Sequence, residues 1–214
     1  MEARRRLPVA DESTHRSVLK TVPAALVALR ALLAPAIIVL ALHRRQGVAM
    51  AVCIACALLS DIFDGIVARR LGVETTALRR ADSAADTIFY VAAAVSAWIL
   101  ARSAVRAVAG ILLLLVLVEV ARYAFDYLKF RREASYHSYA AKLWGLTLAA
   151  ALILLLAYNV SGWFLRAAIW IGIISDLEGL LISIILPVWS HDVRSFIHAL
   201  KLRKRGLSAA AVEF

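Results

Sequence analysis

The chain has 214 residues, 63% of them hydrophobic, and a formal net charge of +10 at pH 7. A mean hydropathy of +0.79 exceeds what one soluble domain of this size buries, so the chain is expected to lie mostly within a bilayer. The charge does not point to nucleic acid: the basic residues are spread over loops flanking apolar runs, where they set topology and attract anionic lipid headgroups.

The first residues, MEARRRLPVADESTH, hold no apolar core ahead of Asp11 and Glu12, so no cleavable signal peptide is expected. A short helix starting at Asp11 or Ser13 and reaching Thr21 is expected along the interface, with Val18 and Leu19 towards lipid. Apolar runs of about 20 residues, the length that crosses the hydrocarbon core, begin near Val22, Val48, Ala84, Val105, Ala141 and Phe164. The prediction is an all-α membrane protein of six transmembrane helices with a short N-terminal juxtamembrane helix. Its expected organisation is a basic tail and interfacial helix over 1–21, one transmembrane domain over 22–190, and a basic tail over 191–214, of which 206–214 look detachable.

Arg4, Arg5, Arg6, Arg16 and Lys20 precede the first run, Arg69, Arg70, Arg79 and Arg80 separate the second from the third, and Lys129, Arg131 and Arg132 separate the fourth from the fifth. Arg194, Lys201, Arg203, Lys204 and Arg205 follow the last, whereas the opposite side holds only Arg44, Arg45, Arg102, Arg106 and Arg166. The positive-inside rule then places both termini in the cytoplasm. Cys53 and Cys56, one turn apart in the second run, read as small buried hydrophobes, since no His or further Cys stands near in sequence to complete a zinc site.

The most informative segment is DIFDGIVARRLGVETTALRRADSAAD, Asp61 to Asp86, entered directly from AVCIACALLS. At 3.6 residues per turn, Asp61, Asp64, Gly65, Ala68 and Arg69 share one face of a helix, and Asp82 and Asp86 share a face of the next. Opposed, these faces would gather four carboxylates that repel unless cations hold them, and all-oxygen ligation suits Mg²⁺, Mn²⁺ or Ca²⁺. The plainer reading is that the acids offset Arg69, Arg70, Arg79 and Arg80.

The segment resembles the signature of the CDP-alcohol phosphotransferase (CDP-alcohol phosphatidyltransferase) family, D-x-x-D-G-x-x-A-R-x8-G-x3-D-x3-D, with Asp61, Asp64, Gly65, Ala68, Arg69, Asp82 and Asp86 in register. Leu78 stands where the pattern has its second glycine, and must either point away from a nucleotide or narrow its site. Pro23, Arg30 and Pro35 are similar to the family's usual opening, although Ala24 and Val27 stand where relatives often carry Asn and Thr.

The resemblance implies a phospholipid-synthesis transferase. Asp61, Asp64, Asp82 and Asp86 would hold one or two Mg²⁺ or Mn²⁺ ions bridging the pyrophosphate of a CDP-linked substrate. Asp61, Gly65, Ala68 and Arg69 would bind the CDP moiety, with Gly65 and Ala68 leaving room and Arg69 pairing with phosphate oxygens. Asp86 would take the proton of the attacking alcohol as CMP leaves. The expected reaction moves a phosphatidyl group from CDP-diacylglycerol to a polar, phosphorylated alcohol. The inverse assignment, a small CDP-alcohol donor with a lipid acceptor, stays open. A homodimer and a bacterial cytoplasmic (inner) membrane, with the site facing the cytoplasm, are further implications.

A phosphorylated acceptor needs more cations, and Lys142, His137 and Arg122 are the candidates beside the loop between the fourth and fifth runs. Each also has a plainer reading, for Lys142 snorkelling to the interface. Glu119 in the fourth run has Arg122 three residues on as a local partner. Asp176 and Glu178 in the sixth bind acceptor hydroxyls, pair with Arg30 or stabilise a dimer. Trp144, Trp163 and Trp189 read as interfacial anchors, and Ala92–Ala94 and Ala149–Ala151 as sites of close helix packing. Two non-enzymatic alternatives remain. A cation transporter would place its acids near the membrane midplane rather than at one face, and an inactive relative would gain activity on Leu78→Gly.

Overall fold

The computed structural model describes residues 10–73, 75–131, 136, 138–160, 162–190 and 193–210, with side chains described between residues 21 and 204. Among the described residues all regular structure is helical. Among the described residues, five helical segments are long and apolar enough to cross a membrane: Thr21–Leu42, Val48–Leu71, Thr76–Leu100, Tyr139–Ala157 and Trp163–Ile185. The fourth apolar run is also a helix, Ala109–Phe130, but Glu119, Arg122 and Asp126 make it too polar to count by composition alone. Large side chains such as Leu32, Val52, Val91, Leu113 and Ile174 are exposed, as lipid-facing positions require. The chain divides into two compact units, Met1–Leu100 and Ala101–Phe214.

The first unit contains α1 (Ala10–Leu42), α2 (Val48–Leu71) and α3 (Thr76–Leu100). The expected interfacial helix is not a separate element, because α1 runs unbroken from Ala10 through Thr21. Helix α1 is the centre of the unit and packs against both α2 and α3. Its buried residues, Pro23, Val27, Arg30, Ala34, Ile37 and Ala41, recur every three or four positions and form one stripe. Arg30 is the one charged member of that stripe. The facing stripes are Met50, Ile54, Ala57, Ser60, Asp64 and Ala68 on α2, and Ala85, Phe89, Ala92, Ala93, Ser96 and Ala97 on α3. Their small residues allow the close approach expected of Ala92–Ala94, although Ala94 itself faces outward. Gly72, at φ 63°, ends α2 in a left-handed turn whose N–H returns to Arg69, with Val73 bonding Ala68.

The second unit contains α4 (Arg102–Ala107), α5 (Ala109–Phe130), α6 (Tyr139–Leu152, continued by a π-helical turn over Ile153–Ala157), α7 (Trp163–Ile185) and α8 (Phe196–Ala210). Helix α7 is its centre, packing against α5, α6 and α8. The basic C-terminal segment docks on this unit: Val193 and Ala199 are buried with Ile182 and Leu186, against Phe130, Tyr136 and Leu202. Its basic residues Lys201, Arg203 and Lys204 remain exposed. Trp144 also departs from the interfacial role. Its indole lies against Gly172, where a Cβ would come within 2.6 Å of Nε1, and that buried Nε1 has no hydrogen-bond partner. Trp163, the first residue of α7, is exposed as an anchor should be.

Candidate active site

The aspartate motif spans the end of α2, the connection and the first turns of α3. From the spacing alone, the motif faces of α2 and α3 could oppose each other. In the structure the acids of both faces converge, and α1 contributes a cation between them. Arg30, 1% exposed, points its guanidinium into the four carboxylates. Nη1 lies 3.3 Å from Asp61 Oδ1 and 2.8 Å from Asp82 Oδ1, and it also donates to Asp86. Nη2 donates to Asp64 at 2.5 Å, and Nε to Ser60 Oγ at 3.4 Å. Ser60 in turn donates to the Ala57 carbonyl at 2.7 Å.

Arg30, matched in the sequence only to the family's opening and to a pairing with Asp176 or Glu178, was not placed at this cluster by the motif. A signal was available, since it is the sole charged side chain between Thr21 and Leu42, and an ionisable residue inside an apolar span marks function by default. Its partner, however, depends on helix packing. Within the second unit, Asp176 is bonded by Arg122.

The carboxylates differ in setting. Asp64 is buried, whereas the Asp61, Asp82 and Asp86 side chains are 45%, 35% and 35% exposed. One oxygen each from Asp61, Asp64 and Asp82 lies within 4.8 Å of the others. The four carboxylates outnumber the one guanidinium between them, and the cluster offers only hard oxygen donors. These features fit Mg²⁺ or Mn²⁺. Cys53 and Cys56 are free and half-buried.

The space above Gly65 holds the guanidinium of Arg69, 3.4 Å from where a Cβ would stand. Ala68 is buried and Arg69 is exposed. Leu78 lies in the first turn of α3, half-buried, its N–H donated to Thr75 Oγ1 at 3.1 Å. Its backbone φ is negative, so this position does not need glycine for conformational reasons.

In the second unit the charges of α5 turn towards α7. Arg122 Nε donates to Asp176 at 3.0 Å, and its Nη1 lies 3.7 Å from Asp126. Asp126 accepts from Ser183, whose Oγ also lies 3.1 Å from the Tyr136 hydroxyl. Lys129 Nζ donates to the carbonyls of Ser183 and Ile184 at 2.7 and 3.2 Å, capping the end of α7. Gly179 gives Arg122 room, with Cδ 3.0 Å from a notional Cβ. The hydrogen-bonded partner of Arg122 is thus Asp176 rather than the sequence-local Glu119. Lys142 is exposed on α6, one residue after the N-terminal cap contact between Ala141 and Ser138. His137 lies outside the described residues.

The motif ends of two apolar, membrane-spanning helices thus gather a cluster of carboxylate oxygen donors of a kind that could hold a hard cation. A family model described as CDP-alcohol phosphatidyltransferase matches residues 20–175, and the chain belongs to that family, which makes it a membrane transferase of phospholipid synthesis. The match covers well over half of the chain, takes in Arg30 and all four aspartates, and stops one residue before Asp176. No curated protein and no solved structure matches it.

Proposed function

We propose that this protein transfers the phosphatidyl group of CDP-diacylglycerol to a polar, phosphorylated alcohol and releases CMP. The observation that carries the proposal is the convergence of Asp61, Asp64, Asp82 and Asp86 around one buried arginine within the matched interval. These four carboxylates hold the divalent cation, which when bound supplies neutralisation of the diphosphate and of the leaving phosphate oxygen. Arg69, exposed one turn beyond Gly65, pairs with phosphate oxygens, and the small Gly65 and Ala68 leave the adjoining surface to the nucleotide. Asp86, partly open to solvent, accepts the alcohol's proton. The alcohol oxygen then bonds to the phosphorus that carries the diacylglycerol, and the bond from that phosphorus to the CMP oxygen breaks. Lys142 and His137 are assigned to the acceptor's phosphate. Arg122, held by Asp176 and Asp126, serves instead to fix α5 against α7.

The topology that goes with this reading has six spans, α5 being the sixth. In its favour, α5 exposes Leu113, Leu117, Val120 and Leu128 while its charges meet partners on α7, the arrangement that hydrocarbon surroundings demand. The loop charges place the termini and the aspartates on the cytoplasmic side, here of a bacterial inner membrane, and the protein works as a homodimer.

The test is CMP release by purified protein in mixed micelles with CDP-diacylglycerol and Mg²⁺ or Mn²⁺, against a panel of alcohols, beside Asp86→Asn. Release that requires one phosphorylated alcohol and disappears in the variant is expected. Release only from a small CDP-alcohol with diacylglycerol, or none from folded protein, would overturn the donor assignment.

A further inference from the structure

We propose that Arg30 is an internal counter-ion standing in the cation's own position, and that divalent cation binding requires Nη1 to be displaced from it. This rests on the reading above, in which the aspartates hold a metal.

Nη1 is surrounded by carboxylate oxygens of Asp61, Asp82 and Asp86, drawn from two helices. A hard cation seeks the same convergence of oxygens, at roughly 2.0–2.6 Å, so nitrogen and cation compete for one place. Their charges also repel. Arginine keeps its proton under all relevant conditions, and the competition is therefore settled by movement and not by titration. The other edge of the guanidinium is tethered separately, Nη2 to Asp64 at 2.5 Å and Nε to Ser60 at 3.4 Å. That division gives a pivot: Nη1 swings out of the carboxylate group while Nε and Nη2 keep buried partners.

Two opposed effects follow. Arg30 stabilises the carboxylate cluster when no cation is bound, and it weakens cation affinity. A residue that only filled space or stiffened α1 would do the first without the second.

The experiment uses the full chain in detergent, stripped by chelator, and titrates Mn²⁺ while free Mn²⁺ is followed by electron paramagnetic resonance. Wild type is compared with Arg30→Gln, Arg30→Lys and Asp61→Asn, and thermal unfolding is recorded with and without Mn²⁺. Arg30→Gln is expected to bind Mn²⁺ at least about tenfold more tightly, about 1.4 kcal/mol, to melt earlier in chelator, and to gain more from Mn²⁺ than wild type does. Arg30→Lys keeps the charge but cannot hold Ser60 and Asp64 together, so its affinity rises by less. Should Arg30→Gln fail to fold, the lysine variant decides. Unchanged or weaker Mn²⁺ binding in the folded Arg30 variants, with binding still lost in Asp61→Asn, overturns the proposal alone. Absence of Mn²⁺ binding in wild type overturns the metal reading and this proposal with it.

Discussion

Replacing Asp64 by asparagine separates the electrostatics of the cluster from its chemistry. Asp64 and Arg30 are both buried and 2.5 Å apart, so at an effective dielectric of about 20 their attraction is about 7 kcal/mol. Against this, the oxygens of Asp61 and Asp82 lie within 4.8 Å of Asp64, and each repels it by about 3.5 kcal/mol on the same basis. Because those two side chains are 45% and 35% exposed, water screens the repulsion to about half of that sum. The asparagine oxygen still accepts from Nη2, recovering about 1 kcal/mol. Burial also penalises the carboxylate by desolvation, which asparagine largely escapes, so the net cost is at most about 2 kcal/mol, below the roughly 3–5 kcal/mol of breaking an isolated buried pair, and appears as a fall in melting temperature of at most about 4–8 °C. Asp61→Asn, at the exposed edge, changes stability by about 0.5 kcal/mol or less. Both variants lose CMP release by at least about a hundredfold, as removal of a metal ligand should. Thermal melts in detergent with chelator, paired with the micelle assay, measure both quantities. Equal destabilisation by the two substitutions would refute the burial argument, and wild-type turnover by Asp64→Asn would refute the ligand assignment.

Gly172→Ala sets a methyl 2.6–2.7 Å from the Trp144 indole and should destabilise the protein by about 1–3 kcal/mol; Trp144→Phe in the same chain should relieve part of this in a thermal-melt double-mutant cycle. Leu78→Gly removes a side chain from a regular helical turn, so CMP release should change by less than about threefold while stability falls by up to about 1 kcal/mol, and a large gain in activity would restore the idea of a crippled site. Burial raises the phenol of Tyr136 above its ordinary range. Its contribution to stability is therefore full below the unfolded value of about 10 and lost as pH rises through the folded one, and Tyr136→Phe should flatten that part of a melting profile recorded between about pH 9 and 11.

The membrane character, the helical class and the acidic quartet were legible in the chain itself. Hydrocarbon thickness fixes the length of an apolar run, and helical pitch fixes which motif residues share a face, and both are local rules. Runs read from Val22, Val48, Ala141 and Phe164 match helices or spans beginning at Thr21, Val48, Tyr139 and Trp163. Local rules failed where an element's neighbours decide its fate. The N-terminal segment that looked interfacial continues α1, and the basic C-terminal segment docks through Val193 and Ala199. Trp144 turned inward because Gly172 on another helix leaves it room.

Residue spacing put Asp61 with Asp64 and Asp82 with Asp86 on shared helix faces, and the resemblance to the family signature joined the two pairs. Only tertiary structure decided what stands between them. Arg30 precedes Asp61 by 31 positions in sequence, and a side chain reaches such partners only when α1 packs against α2 and α3. The same holds for Arg122, whose nearest acid in sequence is Glu119 but whose hydrogen-bonded partner is Asp176 on α7. Charges inside an apolar span are matched by whichever helix lies against them, because the energy of an unpaired one there outweighs any sequence-local preference.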